Sequence, residues 1–265
     1  MSDIDTLLQV MARLRDPEDG CPWDREQTLE SIVPHTLEEA YEVADAIARN
    51  DMGELRDELG DLLFQVVFYA RICEEQGDFG FDDVVQAICD KLIRRHPHVF
   101  ALEGAGADVA DAEAQTTAWE EHKARERRDK HGDGTLAGVA HALPALSRAA
   151  KLTKRAARVG FDWPDLPPVF DKMQEELAEL RHEVAQGTID ADRVEDEMGD
   201  VLFVASNLAR KAGVDPETAL RRANAKFERR FAAMEALAAA EGVSLDDLDL
   251  ERWEALWVRV KQGEG

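Results

Sequence analysis

The chain contains little cysteine, proline, aromatic side chain or positive charge, and these shortages exclude several classes of protein. Its 265 residues include only three cysteines, an odd number with no CxxC pair, so neither a disulfide framework nor a thiolate metal site is expected. The longest apolar run, LLFQVVFYA at 62–70, is too short to span a membrane. Acidic residues stand near the N-terminus where a signal peptide requires basic ones. The sequence therefore predicts a cytoplasmic protein without membrane contacts.

The chain carries a strong excess of negative charge. Fifty-six acidic residues against 32 basic ones give a formal net charge of −24 at pH 7. The resulting field repels nucleic-acid phosphates, so direct binding of DNA or RNA is not expected. An acidic protein can still bind a polyphosphate when metal ions lie between the two sets of negative charges.

The few prolines and the apolar spacing indicate helices separated by loops. We assign all nine prolines, including Pro34, to loops. Between them, apolar residues recur at spacings of three and four, as in Leu177, Leu180 and Val184. No sustained two-residue alternation indicates a strand. The predicted fold class is all-α.

An internal repeat divides the chain into two copies of one helical unit. DELGDLLF at 57–64 recurs as DEMGDVLF at 196–203. Upstream, PHTLEEAYEVADAI is matched by KMQEELAELRHEV, and downstream KLIRR is matched by KFERR. Three matches in the same order favour duplication over chance. The predicted organisation is an N-terminal helical bundle at 1–115, a connecting helix and linker at 116–143, and a C-terminal helical bundle at 144–265.

Each copy carries a set of carboxylates at helical spacing. Residues three and four apart share one face of a helix, and a short loop makes consecutive helices antiparallel neighbours, so the acids of both helices can converge. In the second copy these acids are Glu175, Glu176, Glu179, Glu197 and Asp200. In the first copy they are Glu38, Glu39, Glu42, Glu58 and Asp61.

Such clustering of like charge favours a bound cation. Carboxylate oxygens without cysteine or matched histidine favour Mg²⁺, or Mn²⁺, over zinc. Gly60 and Gly199, between the acids of the second helices, are expected to let the opposing helix or a ligand come close. Solvated helix faces are the plain alternative. A di-iron bundle is a second one, but it needs two Glu-x-x-His motifs and the chain offers only Glu179 with His182.

The carboxylate pattern and its flanking motifs resemble the MazG family of nucleoside triphosphate pyrophosphohydrolases. The motifs CPWDREQT, HTLEEAYE, RHPHVF, RVGFDW and NAKFERRF extend the resemblance over nearly the whole chain, in the tandem-domain form. The resemblance implies a helical fold, Mg²⁺ dependence and a homodimer. It also implies hydrolysis of a nucleoside triphosphate to the monophosphate and pyrophosphate, with broad base tolerance.

The resemblance also implies roles for individual residues of the second copy. The Mg²⁺ ligands would be Glu176, Glu179, Glu197 and Asp200, with Glu175 as a helper, and either Glu176 or Glu179 would orient or deprotonate the attacking water. Lys226 and Arg230 would grip the triphosphate as catalytic cations, and Arg193 falls where the family is expected to have a phosphate-binding lysine. Trp257 would stack on the base. A core position for Trp257 is the alternative, and Trp253 is its competitor for the stacking role.

The second copy is predicted to be the catalytic one. The first copy has Glu54, which would repel phosphate, at the position of Arg193, and nothing like the C-terminal tryptophan helix follows its basic pair. The first copy would be a structural or regulatory partner and a candidate second metal site. Two alternatives stay open: selective removal of dUTP or an oxidised nucleotide, and a non-catalytic regulatory helical dimer.

Overall fold

The computed structural model describes residues 3–100 and 134–263. These residues form helices and turns without a strand, which confirms the all-α prediction. They fall into two compact units, one within each range. The predicted boundary at 115 and residues 116–133 of the predicted connecting segment lie outside the described residues. None of the described helices combines the length and apolar character needed to cross a bilayer.

The first unit is organised around a long helical hairpin. Its helices are α1 (Ile4–Leu14), α2 (Pro22–Glu26), α3 (Leu29–Arg49), α4 (Met52–Gln76), α5 (Phe81–Arg95) and α6 (Pro97–Phe100). Helices α3 and α4 make the hairpin, and α1 and α5 pack on α4. The core consists of the buried side chains of Met11, Ile32, Val67, Phe68 and Ile72.

The second unit repeats the hairpin and ends in a packed pair of helices. Its helices are α7 (Ala145–Ala157), α8 (Pro167–Val184), α9 (Ala191–Lys211), α10 (Pro216–Ala240) and, after a short 3₁₀ turn, α11 (Leu250–Gly263). Helix α9 packs on both α8 and α7, and α10 packs on α11. Met234, Ala238, Leu256 and Val260 form the core between α10 and α11.

Matching aspartate caps start the second helix of each hairpin. Asp51 accepts hydrogen bonds from the backbone N–H groups of Gly53 and Glu54, both at 3.1 Å. Asp190 likewise accepts from the N–H group of Asp192 at 3.1 Å. A cap of this kind stabilises a helix by about 1 kcal/mol. In both copies the cap precedes the next glutamate of the carboxylate set by the same number of residues, so it sets where that glutamate lies on the helix.

The assignment of Pro34 to a loop is wrong, because this residue lies inside α3. Proline lacks the N–H that would bond the carbonyl four residues earlier, which usually ends a helix. Here the helix begins with a reciprocal capping box: the Ser31 N–H donates to the Thr28 hydroxyl at 3.3 Å, and the Thr28 N–H donates to the Ser31 hydroxyl at 2.8 Å. These contacts secure the helix start ahead of the proline.

Candidate active site

Three of the predicted ligands in the second unit come together between α8 and α9. Glu176 and Glu179 lie on α8 and Glu197 lies on α9. Each offers a carboxylate oxygen, and these atoms lie within 4.8 Å of one another. Glu176 is only 5% exposed, whereas Glu179 is exposed to solvent. We call these three residues the second acidic group.

The electrostatics of the second acidic group favour a cation. Partial loss of hydration, with the nearby charges of Glu176 and Glu197, raises the pKa of the Glu179 carboxyl above its ordinary value. The contributions of Glu176 and Glu197 to this shift reflect repulsion between negative charges in the folded protein. A bound cation would remove this repulsion.

Lys172, which the sequence analysis missed, supplies part of that positive charge. Its Nζ lies 2.7 Å from Oε1 of Glu175 and 2.8 Å from Oε1 of Glu176. These hydrogen bonds raise the pKa of the Lys172 ammonium above its ordinary range. The signal was present in the sequence, since a lysine three and four residues before two glutamates shares their helix face.

The other two predicted ligands of this unit are not part of the group. Glu175 instead forms the ion pair with Lys172. Asp200 is exposed on α9, three residues after Glu197. The structure therefore brings the two glutamates of α8 and the first acid of α9 together, and leaves Glu175 and Asp200 at the edge.

The first unit holds a corresponding group of three carboxylates. Oxygens of Glu39, Glu58 and Asp61 lie within 4.8 Å of one another, and we call these residues the first acidic group. Burial, followed by the charges of Asp61 and Glu42, raises the pKa of the Glu39 carboxyl. Burial and the charges of Glu42 and Asp61 also raise the pKa of Glu58. Glu42 therefore acts on this group from its edge.

Two further side chains border the first acidic group. Glu38, predicted as a ligand, lies 3.8 Å from the His35 ring and is exposed. Gln65, which the sequence analysis did not single out, is 5% exposed and donates from Nε2 to Glu39 at 3.4 Å. Among the described residues, its Oε1 has no hydrogen-bond partner. The second unit has the buried Val204 at this position, so the two groups differ in polarity.

The donor chemistry of both groups fits a hard divalent cation. Each group consists of carboxylates and includes neither cysteine nor histidine. Oxygen donors of this kind suit Mg²⁺ or Mn²⁺ and do not favour zinc. His182 is exposed and its ring lies 2.8 Å from the Gln186 amide, outside the group. The di-iron alternative does not fit this arrangement.

Gly60 and Gly199 do not serve a close approach of the opposing helix. Apart from its chain neighbours and the backbone of its own helix, a Cβ built on either glycine would meet no described atom within 4 Å. This part of the expectation is wrong. Glycine inside a helix costs up to about 1 kcal/mol relative to alanine, so both sites lose stability without a packing gain within their unit.

Arg193 forms an ion pair at the hairpin turn. Its Nη2 lies 2.6 Å from Oε1 of Glu183, whose side chain is 9% exposed, while the Arg193 side chain is 62% exposed. In the first unit the arginine of the corresponding ion pair lies on the first helix of the hairpin and the glutamate on the second: Arg49 pairs with Glu54. The Arg193 guanidinium thus has an ion-pair partner within the unit, and much of its side chain remains accessible to solvent.

The predicted nucleotide-binding residues of α10 and α11 contact one another. The Arg230 guanidinium lies 5.5 Å from the centroid of the Trp257 ring, and the Phe227 ring lies 5.7 Å from it. Trp257 also packs against the core between α10 and α11, whereas Trp253 stacks on Phe231 at 5.6 Å. Lys226 is exposed on α10. Trp257 is therefore at least a packing residue, in line with the alternative considered for it.

Comparison with known proteins gives a direct family match. The MazG nucleotide pyrophosphohydrolase domain matches residues 27–100 and 169–233, segments that contain both acidic groups. The chain belongs to the MazG family. The predicted resemblance is thereby confirmed, as is the expectation of an enzyme from this family. The second matched segment includes Lys226 and Arg230 and ends before Trp257.

Relatives align with the chain over its full length. "Nucleoside triphosphate pyrophosphohydrolase" of Escherichia coli strain K12 is 52% identical over 264 residues, covering 100% of this chain and 99% of the relative. "Nucleoside triphosphate pyrophosphohydrolase/pyrophosphatase MazG" of Thermotoga maritima is 41% identical over 258 residues, covering 97% and 95%. "Uncharacterized protein YabN" of Bacillus subtilis is 40% identical over 262 residues, covering 99% of this chain and 52% of the relative. The alignments thus cover nearly the whole of the E. coli and T. maritima relatives and about half of the B. subtilis one.

Proposed function

We propose that this chain is a Mg²⁺-dependent nucleoside triphosphate pyrophosphohydrolase. It converts NTPs and dNTPs of any base to the monophosphate and pyrophosphate. The second acidic group carries the proposal, because three converging carboxylates on a hairpin of the MazG family form a ligand set for a hard cation. The names of the E. coli and T. maritima relatives support the same reaction.

The cation ligands are Glu176, Glu179 and Glu197. Glu175 directly precedes Glu176 on α8, and Asp200 follows Glu197 by three residues on α9. Both residues complete the ligand set as helpers. Bound Mg²⁺, or Mn²⁺, would neutralise phosphate charge and lower the pKa of a coordinated water.

The protein's own groups position the water and the triphosphate. Water attacks the α-phosphorus, and the β and γ phosphates leave together as pyrophosphate. Glu179 is our choice to orient this water, because it is exposed whereas Glu176 is buried and paired with Lys172. Lys226 serves as a point charge, and Arg230 as a bidentate hydrogen-bond donor to phosphate oxygens. The solvent-exposed part of the Arg193 guanidinium makes a third contact with the phosphates.

Base tolerance follows from stacking on Trp257. Every base has a π face, so a stacking contact does not select among bases. Arg230 lies against the same indole, which ties the base contact to the phosphate contact. A hydrogen-bonding pocket would instead discriminate among bases.

The second unit is the catalytic one in this proposal. The first unit has Glu54 at the position of Arg193, and Glu54 is already paired with Arg49. The first unit therefore serves as a structural or regulatory partner, with the first acidic group as a second metal site. Glu38 and Glu42 border that site.

Repeat-related substitutions test the proposal with a matched control. Pyrophosphate release from ATP, GTP, CTP, UTP, dUTP and the dNTPs is measured with Mg²⁺ and with EDTA. Glu197→Gln should abolish turnover without loss of helicity, whereas Glu58→Gln, its counterpart in the first unit, should leave most of it. Wild-type protein that releases no pyrophosphate would favour the regulatory dimer. Release from dUTP alone would favour selective nucleotide removal.

The proposed assembly is a homodimer that does not bind nucleic acid. Leu59 and Leu63 are exposed beside the first acidic group, and Met198 and Leu202 are exposed at the equivalent positions of α9. Large apolar side chains that recur on one helix face are typical of surfaces that a partner covers. Analytical ultracentrifugation should give twice the 29.6 kDa chain mass. A monomer at micromolar concentration would contradict the dimer.

A further inference from the structure

We propose that Lys172 is an internal counter-ion that competes with the divalent cation for the second acidic group. Among the residues that the structure describes, the first acidic group has no such competitor, and it binds the cation more tightly. This inference rests on the proposed function, because it concerns the same metal site. It adds an order of filling: the first acidic group binds the ion at lower concentration than the second.

The contacts of Lys172 place its charge on a metal ligand. The ammonium nitrogen lies 2.8 Å from Glu176 and 2.7 Å from Glu175. Glu176 is nearly fully buried, and a buried carboxylate without a partner is unfavourable. Lys172 therefore stabilises the ion-free state of the group. A cation that uses the same Glu176 oxygen must displace the ammonium first.

The first acidic group lacks this counter-ion. The repeat places His35 where the second copy has Lys172. The His35 ring lies 3.8 Å from Glu38, which is outside the first acidic group. The ring also packs edge-on against Trp23, with ring centroids 5.8 Å apart. Within the part of the chain that the structure describes, no lysine or arginine forms an ion pair with the three residues of this group. Its charge is thus open to an external cation.

The difference between the copies predicts the direction and size of the effect. A fixed positive charge about one side-chain length from a divalent ion weakens binding by roughly tenfold even with water-like screening. Loss of the Lys172 ammonium should therefore tighten binding at the second acidic group by roughly tenfold. A lysine introduced at position 35 should weaken binding at the first acidic group by a similar factor.

Mn²⁺ titration of the full chain without nucleotide tests the inference, with free Mn²⁺ followed by electron paramagnetic resonance. A Glu58→Gln background isolates the second acidic group, and a Glu197→Gln background isolates the first. Lys172→Gln in the first background should lower the dissociation constant, and His35→Lys in the second should raise it.

A matched control removes an ion pair at the C-terminal end of the neighbouring helix α9. Lys211 pairs with Asp162 at 3.2 Å and lies fourteen residues beyond Glu197, about 21 Å along the helix. Lys211→Gln makes the same charge change and should alter Mn²⁺ affinity less than about twofold, since charges this far apart are screened. Equal effects of Lys172→Gln and Lys211→Gln would reduce the result to net charge and overturn the inference.

Two outcomes separate this inference from the proposed function. Unchanged Mn²⁺ affinity in Lys172→Gln, with pyrophosphate release by the wild type intact, would overturn the counter-ion role alone. Absence of Mg²⁺-dependent pyrophosphate release by the wild type would overturn the proposed function whatever the titration shows. If Lys172→Gln fails to fold by circular dichroism, the His35→Lys arm decides, and unchanged affinity there also overturns the inference.

Discussion

Removal of the Arg193 guanidinium should destabilise the second unit through the carboxylate that it leaves behind. In Arg193→Ala, Glu183 would stay at a position where its side chain is 9% exposed, without its partner at 2.6 Å. A buried charged group that loses its hydrogen bond costs more than the bond itself contributes. The effect therefore comes from Glu183 rather than from lost packing of the exposed arginine.

The size of this effect follows from the exposure of the two partners. Hydrogen bonds to charged groups contribute about 1.5–3 kcal/mol. Because the Arg193 side chain is 62% exposed, solvent screening reduces the value to the lower end, about 1–2 kcal/mol. The repeat-related position of Glu183 is Ala46, which is fully buried, so alanine is compatible with this site. Glu183→Ala combined with Arg193→Ala should restore most of the lost stability.

A double-mutant cycle with urea denaturation, followed by far-ultraviolet circular dichroism, measures the coupling energy. We expect about 1–2 kcal/mol between Arg193 and Glu183. The matched pair in the first unit is Arg49 with Glu54, whose side chains are both more than a third exposed. That pair should couple by less than about 1 kcal/mol.

A coupling energy near zero between Arg193 and Glu183 would refute the structural reasoning. The kinetic assay separates the second proposed role of Arg193. If the guanidinium also contacts phosphate, KM for the nucleotide should rise in Arg193→Ala and stay raised in the double variant, although stability has recovered. A KM that recovers together with stability would contradict the phosphate contact.

Three further predictions concern the first unit. Phe68→Ala should lower the free energy of unfolding by about 3–5 kcal/mol in urea denaturation, because the ring is fully buried, and a loss below about 1 kcal/mol would contradict that core. The folded pKa of Glu39 is raised above its ordinary 4.5, so metal-free stability should fall as pH rises from 4.5 through that folded value. Thermal melts in EDTA measure this, and Glu39→Gln should flatten the dependence; an unchanged slope would count against it. Burial raises the pKa of the Cys73 thiol whereas Cys89 is exposed, so iodoacetamide near neutral pH should label Cys89 first by mass spectrometry. Equal labelling rates would show that the burial is transient.

Much of the candidate site was predictable from local spacing. Glu176 and Glu179 share a helix face whatever the rest of the chain does. Glu197 joins them because a short turn and the Asp190 cap set the register of α9 against α8. The same spacing rule applies to Lys172, which stands three and four residues before Glu175 and Glu176.

Other features depended on packing between helices and could not be read from spacing. Asp200 satisfies the spacing rule as well as Glu197 does, yet it lies outside the group of three. In the first unit the equivalent Asp61 is inside its group. Which oxygens come within reach depends on side-chain rotamers and on helix packing, and a repeat pattern does not encode these.

The sequence by itself determined the helical class, the tandem repeat and the family, because periodicity, repetition and motif order are properties of the chain. The tertiary structure alone decided which carboxylates meet and that Arg193 pairs with the buried Glu183. It also placed Pro34 inside α3, where a capping box holds the helix start. These outcomes depend on distances of a few ångströms between side chains, and packing sets such distances only once the helices are in contact.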